Sequence, residues 1–233
     1  MLLFAGLAFS QEADEAEKYW SVDAEAGYTF TSGNSDTEDA RAGITGLREN
    51  MPWKTKLTLR GERGKSEGET TKSVIAGEAK QSWYATDRTY LYVRTAAKRD
   101  TVNRIALRST TGAGVGHEFI KREDLTLAGE GGVEYEYFEP VEGEIKRDML
   151  LRLAENLEWQ INESAKLTQS LEFFPNLTDS KRHRTNAEVA LTTGLTERVS
   201  VRVGVAAEYQ NRPPEDSKHT DVTGFVSLVV NIL

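Results

Sequence analysis

The chain has 233 residues, no cysteine and a formal net charge of −8. Without cysteine there is no disulfide, thiolate metal site or cysteine nucleophile, and the acidic balance argues against a nucleic-acid partner, which calls for a basic face. No run of eighteen apolar residues occurs, so no helical membrane span is read here; the low mean hydropathy leaves a transmembrane β-barrel open, because only alternate positions of its strands face lipid.

Residues 1–10 form a short apolar block, and an acidic stretch from Gln11 to Glu17 follows it. The block reads as the remnant of a secretory signal peptide, with Ala8-Phe9-Ser10 before the cut. Residues 11–18 read as a periplasmic lead-in, and residues 19–233 as one barrel domain.

From Trp20 onward the chain alternates. Trp20, Val22, Ala24, Ala26, Tyr28 and Phe30 share one parity, and Ser21, Asp23, Glu25, Gly27, Thr29 and Thr31 the other. A period of two is a strand signal, since successive side chains point to opposite faces. In chain order the pattern predicts twelve strands: 19–32, 37–50, 53–65, 70–85, 89–99, 106–120, 124–138, 148–161, 165–175, 183–195, 199–211 and 220–233. At a rise of about 3.3 Å per residue and a tilt near 45°, each spans an apolar band of roughly 25 Å.

The connections alternate too. Short ones fall at Met51-Pro52, Thr86 to Arg88, Lys121 to Glu123, Asn162 to Ser164 and Thr196 to Arg198. Longer or irregular ones fall at Gly33 to Asp36, Ser66 to Glu69, Asp100 to Ile105, Glu139 to Arg147, Asn176 to Arg182 and Arg212 to His219. An up-and-down barrel in an outer membrane predicts this, with tight periplasmic turns and larger outer loops. A Greek-key sandwich does not. Trp20, Trp53, Trp83 and Trp159 all fall near the tight-turn end, joined by Tyr90 and Phe119. Tyr28, Phe30, Tyr135, Tyr137, Phe173 and Tyr209 fall toward the other end, which gives two aromatic belts at two membrane interfaces.

The expected fold is therefore all-β: a transmembrane up-and-down antiparallel β-barrel of about 12 strands. Its outer face is the apolar parity, as in Val199, Val201, Val203 and Val205. One exception is Glu155, which interrupts the apolar parity of the eighth strand. The lumen is predicted to be lined by Glu25, Arg41, Arg60, Glu62, Arg108, Glu130, Glu134, Arg152, Glu158, Arg202 and Glu208. These charges either fill and stiffen the barrel as ion pairs or line a path for small polar solutes. Twelve strands lie between the eight that side chains fill and the sixteen that leave an aqueous channel. Gly112, Gly114 and Gly116 share the inner parity of the sixth strand and predict curvature or close approach by large neighbours, with long Arg and Glu side chains of adjacent strands lying over the stripe. The basic loop residues Lys181, Arg182 and Arg184 are candidates for contact with lipopolysaccharide phosphates.

At Trp20, Gly27 and Ser32-Gly33-Asn34-Ser35 the chain resembles the salt-induced outer-membrane protein family (YdiY-like). A second matching stretch is Asp100, Arg108 and Gly112-Ala113-Gly114-Val115-Gly116. The resemblance covers about residues 19–233. It implies a Gram-negative outer-membrane β-barrel without an assigned biochemical role, and carries over no catalytic or binding residue. One departure concerns the last strand. Such barrels commonly end in Phe, whereas Leu233 closes this chain, and the parity of Val222, Val226, Leu228, Val230 and Ile232 reads as the lipid-facing one.

Enzymatic signals are weak. Barrel lipid hydrolases carry His-x-Ser on a strand, whereas His117, His183 and His219 are followed two residues on by Phe119, Thr185 and Asp221. No metal-ligand spacing is present, and no cofactor is expected. The leading expectation is a non-enzymatic barrel in envelope structure or limited small-solute passage. Its partners would be outer-membrane lipids, lipopolysaccharide and the barrel-assembly machinery, with no nucleic acid. The alternatives are an outer-membrane lipid or lipopolysaccharide hydrolase and a soluble periplasmic β-protein binding an apolar ligand.

Overall fold

The structure is a computed structural model and describes residues 19–31, 37–213 and 218–233. The expected signal remnant at 1–10, all of the lead-in at 11–18, the Gly33 to Asp36 loop and part of the Arg212 to His219 loop lie outside the described residues. The strands are β1 (Trp20–Thr31), β2 (Thr37–Asn50), β3 (Trp53–Ser66), β4 (Glu69–Tyr84), β5 (Thr89–Asp100) and β6 (Ile105–Lys121). They continue with β7 (Leu125–Pro140), β8 (Lys146–Gln160), β9 (Ala165–Pro175), β10 (His183–Gly194), β11 (Val199–Gln210) and β12 (Thr220–Asn231). Each strand pairs antiparallel with its sequence neighbours, and β12 returns to β1 to close the ring. The fold is an all-β, twelve-stranded, up-and-down transmembrane-type barrel. Closure runs from Asp23 opposite Asn231 to Ala26 opposite Leu228.

The alternation sorts side chains as the period of two requires. On β11, Val203 and Val205 are 49% and 52% exposed. Arg94, Arg108, Glu130, Glu134, Glu136 and Arg152 are all buried. Charged groups inside and aliphatic groups outside invert a soluble core. An Arg or Lys on a lipid face costs about 2–4 kcal/mol at mid-membrane, so this inversion fits a hydrocarbon surround. β12 follows the same logic. Val222, Val226, Leu228 and Val230 face outward, while Phe225 and Ser227 are buried inside.

Three details differ from the sequence reading or complete it. Tyr90 does not join the outer aromatic belt. It is buried on the inner face with Tyr92, because Leu91 and Val93 take the outward parity of β5. The connection between β3 and β4 is not a longer loop but a two-residue turn. Glu67 and Gly68 have φ of 51° and 84°, and positive φ at both central residues is the hairpin geometry that suits strand twist. Glu155 stands on the outer face and accepts a hydrogen bond from Gln169 Nε2 at 3.2 Å, so the interruption on β8 is answered by a polar partner on β9.

Candidate functional site: the ionic lumen

The site is built on a floor without side chains. A Cβ on Gly112 would lie 2.3 Å from the Val133 carbonyl oxygen, and one on Gly114 2.3 Å from that of Gly131. Tyr92 Oη would be 2.6 Å from a Cβ on Gly114 and 2.5 Å from one on Gly132. Only hydrogen fits between these strands and the tyrosines packed over them. Large neighbours do approach the glycine stripe, but of the expected Arg and Glu side chains only Glu134 is among the nearest, and Tyr90 and Tyr92 take the rest of the space.

Above this floor lies a central cluster from β4, β5, β7, β8 and β9. Glu130 accepts from Tyr90 Oη at 2.5 Å and from Arg152 at 2.7 Å, and it pairs with Lys80. Arg152 also donates through Nε and one terminal nitrogen to Glu172 at 2.9 and 2.7 Å, and to Tyr92 Oη at 3.1 Å. Arg94 donates to Glu78 and Glu134, both at 2.9 Å. A fixed guanidinium fork can hold two carboxylates at once, which is why arginine sits at both branch points.

A second layer lies toward the long-loop end. Lys98 meets Glu208 at 2.6 Å and Asp100 at 3.3 Å. Arg108 donates to Glu208 at 3.2 Å and to Gln210 at 2.9 Å. Arg184 donates to Glu136 at 2.7 Å, and Arg182 to Asp148 at 2.7 Å. Arg108 and Arg184 each cover a buried ring, Phe138 and Phe174. The recess left between Arg108, Glu136 and Arg184 is about 30 Å³, roughly room for one water.

A third group lines the closing seam. Arg41 reaches Glu25 at 3.1 Å and Glu62 at 3.7 Å, and lies 4.0 Å from the centre of the Phe225 ring. Lys72 meets Glu62 at 2.5 Å and donates to Thr223 Oγ1 at 2.8 Å. Arg202 pairs with Glu188 at 2.5 Å.

These distances locate the residues singled out in the sequence. Glu130, Glu134 and Arg152 come together in the central cluster, Arg108 and Glu208 in the upper layer, and Glu25, Arg41 and Glu62 at the seam. Arg202 stands near the seam; Arg60 is half-buried on the same inner parity, and Glu158 is exposed at the short-turn end. Of the loop cations, Arg182 and Arg184 turn into the barrel mouth, while Lys181 is exposed. The sequence reading left Arg94, Tyr90 and Tyr92 out of the lumen. The signal was present on β5, where Tyr90, Tyr92 and Arg94 alternate with Leu91 and Val93.

The histidines stand apart from the ionic layers. His117 bonds Thr89 Oγ1 at 2.9 Å and packs edge-on to Phe119. His183 lies between the rings of Phe173 and Tyr209, with centroids 5.7 and 5.8 Å away. Among the described residues no cluster of His, Asp and Glu has the makings of a metal site.

The model of the family described as "Protein of unknown function, DUF481" matches residues 24–232. The chain belongs to the DUF481 family. A relative of this DUF481 barrel is "Uncharacterized protein YdiY" of Escherichia coli (strain K12). It is 25% identical over 219 residues, which cover 91% of this chain and 83% of the relative. Among solved structures, the DUF481 barrel is similar to the NanC porin, with a TM-score of 0.56 and 12% identity over 91% of this chain and 100% of the other. It is also similar to the translocator domain of the autotransporter NalP from Neisseria meningitidis, with a TM-score of 0.51 and 13% identity over 97% and 94% of the two chains. At such identities the likeness is one of fold.

Proposed function

We propose that this DUF481 protein is an outer-membrane barrel of the Gram-negative envelope whose lumen is closed by its own ion pairs, so that its resting role is structural. One observation carries the reading: an ion pair and a charge-assisted hydrogen bond cross the interior between non-neighbouring strands. Lys98 on β5 meets Glu208 on β11, and Lys72 on β4 meets Thr223 on β12. A water-filled channel keeps its opposite walls apart, whereas a small barrel is filled by side chains. The apolar exterior and the tryptophans at the short-turn end support membrane placement, with the short turns on the periplasmic side.

The test joins two measurements on one preparation. Heat-modifiable gel migration after extraction into detergent reports a folded barrel, and planar-bilayer recording reports the lumen. The expected result is a folded barrel with current at the level of the bare bilayer. Steady ohmic conductance from the folded protein would overturn closure.

A second reading, limited passage of small polar solutes, is favoured by the residual exposure of Arg202, Glu188 and Lys72, whose side chains are 26%, 22% and 25% exposed. The name porin carried by NanC agrees with it. A hydrolase fits less well: His183 and Thr185 share the outward parity of β10, and the His183 ring packs against Phe173 and Tyr209 rather than against a carboxylate.

A further inference from the structure

Arg48 stands outside the lumen with no carboxylate partner among the described residues. Arg48 belongs to the outward parity of β2, four residues after Ile44, which is 45% exposed on the outer face. It lies level with Trp20 on β1, with Thr55 on β3 and, one strand further, with Gln81 on β4. Its neighbour Glu49 points to the other face and pairs with Lys54 at 2.5 Å. Arg48 Nε is shut off from water and has no hydrogen-bond partner in the structure. A guanidinium on a lipid-facing surface with no ion pair among the described residues is costly, and an anion entering the recess that Arg48 lines would relieve it.

The surroundings are shaped for such an anion. A recess of about 380 Å³ opens beside Arg48, lined by Asn50, Trp53, Thr55 and Gln81. Asn50 adds an amide. Thr55 donates its hydroxyl to Gln81 Oε1 at 2.7 Å, which fixes the far wall. Trp53 lies opposite Trp83 in the register, and the Trp20 ring lies against Gly46. Indole rings mark the headgroup level of a bilayer. Further along the strands from the recess, toward the long-loop end, stand Leu57 and Leu59, 44% and 55% exposed, an apolar wall at acyl-chain depth.

We propose that Arg48 and Asn50 bind the phosphate of a glycerophospholipid in the periplasmic leaflet, with the acyl chains along Leu57 and Leu59. A guanidinium meets a phosphate through two parallel N–H···O bonds, which makes arginine the suited residue. The proposal rests on the membrane reading above but not on whether the lumen is closed.

The test uses the full barrel in nanodiscs of phosphatidylglycerol or phosphatidylethanolamine, released into the gas phase for native mass spectrometry. The wild type should retain one phospholipid more than Arg48→Gln, whose retention should fall about tenfold, the scale of one lost charge-assisted contact. Arg48→Lys should retain an intermediate share, and Arg198→Gln, in a short turn at the same end, should match the wild type. Diacylglycerol, which has the chains but no phosphate, should not be retained. A large excess of inorganic phosphate should leave retention unchanged, because a free anion lacks the apolar anchor. Equal retention by wild type and Arg48→Gln, equal retention of diacylglycerol, or displacement by inorganic phosphate would each overturn the proposal. Heat-modifiable migration of every variant tests the membrane barrel separately. A folded Arg48→Gln barrel with undiminished lipid would therefore sink this site and leave the barrel reading intact.

Discussion

Lys98 and Glu208 touch across the barrel at 2.6 Å, although β5 and β11 stand six places apart in the ring of twelve. Opposite walls of the cylinder are thereby joined. Glu208 also accepts from Arg108, so one carboxylate answers two cations from β5 and β6. At this level the interior is held by contacts between residues 110 and 100 positions apart in sequence, beyond what the sheet hydrogen bonds alone supply.

Removing that shared acceptor should loosen the mouth. Glu208→Gln leaves Lys98 and Arg108 without their common anion. Its side chain is 22% exposed, so water repays part of the loss and the expected cost is about 1–2 kcal/mol. The urea midpoint of the folded barrel in lipid vesicles should fall, and brief conductance steps should appear in planar bilayers where the wild type shows none. A variant with the wild-type midpoint and a silent bilayer trace would mean that the bridge neither stabilises nor closes the lumen.

The central cluster should be more sensitive. Arg152→Met strips a buried cation from Glu130 and Glu172, and two carboxylates inside a crowded lumen lose a partner at once. Breaking a buried pair from one side costs about 3–5 kcal/mol. Adding Glu172→Gln to Arg152→Met should recover more than about 1 kcal/mol of this, because Glu172 takes its short ionic contact from Arg152 and, among the described residues, otherwise has only the Arg94 cation at 3.8 Å. Equilibrium unfolding of the two single variants and the double variant measures the coupling, and strict additivity would show that the two residues do not act as a pair.

Much of this architecture is legible in the sequence because a barrel repeats one rule. The alternation on β11, Val199, Val201, Val203 and Val205 against Ser200, Arg202 and Gly204, fixes faces and strand limits without any long-range information. The partnerships are different. That Lys98 finds Glu208 depends on ring closure and on the register of every intervening pair, which no local pattern encodes. Tyr90 departs from the sequence expectation for a related reason. A tyrosine near a strand end fits a membrane belt as well as a lumen, and the decision rests with Gly116 on β6, which leaves space for its ring. Arg48 does not stand out in the sequence, because a lone charge near a turn reads as ordinary surface until the outer face of the barrel is known.

The glycine floor gives a steric prediction. A Cβ on Gly116 would lie 2.2 Å from Tyr90 Cζ. Gly116→Ala must therefore push the Tyr90 ring aside and weaken its bond to Glu130. Overpacking of this kind costs about 1–3 kcal/mol. Folding yield into detergent micelles, read as the heat-modifiable fraction, should drop for Gly116→Ala. It should recover in part when Tyr90→Ala is added, since the obstructing ring is gone. A double variant that folds no better than the single would place the clash with the backbone rather than with the ring.

Glu155 predicts the opposite sign. It stands on the outer face with Gln169 as its amide donor, and an ionisable group facing hydrocarbon would be tolerated rather than favoured. Replacing the pair with Glu155→Leu and Gln169→Leu should raise the stability of the barrel in vesicles by about 1 kcal/mol, through removal of polar groups from an apolar surround. Higher stability in vesicles together with greater aggregation in detergent-free buffer is the expected pattern. Lower stability in vesicles would indicate that the polar pair contacts something other than hydrocarbon.

The placement of the whole barrel reduces to which parity meets lipid, and adjacent residues can decide it. Val203 is 49% exposed on the outside, while Arg202, one residue away, pairs with Glu188 on the inside. Spin labels at Val203 and Val205 should relax strongly with oxygen, which concentrates in hydrocarbon, and weakly with a water-soluble nickel chelate. A label at Arg202 should show the reverse preference or be shielded from both. The contrast must invert over a single residue, because a strand turns successive side chains to opposite faces. A soluble barrel would instead expose the valines to the chelate, so the same three labels separate membrane insertion from a water-soluble cylinder of identical fold.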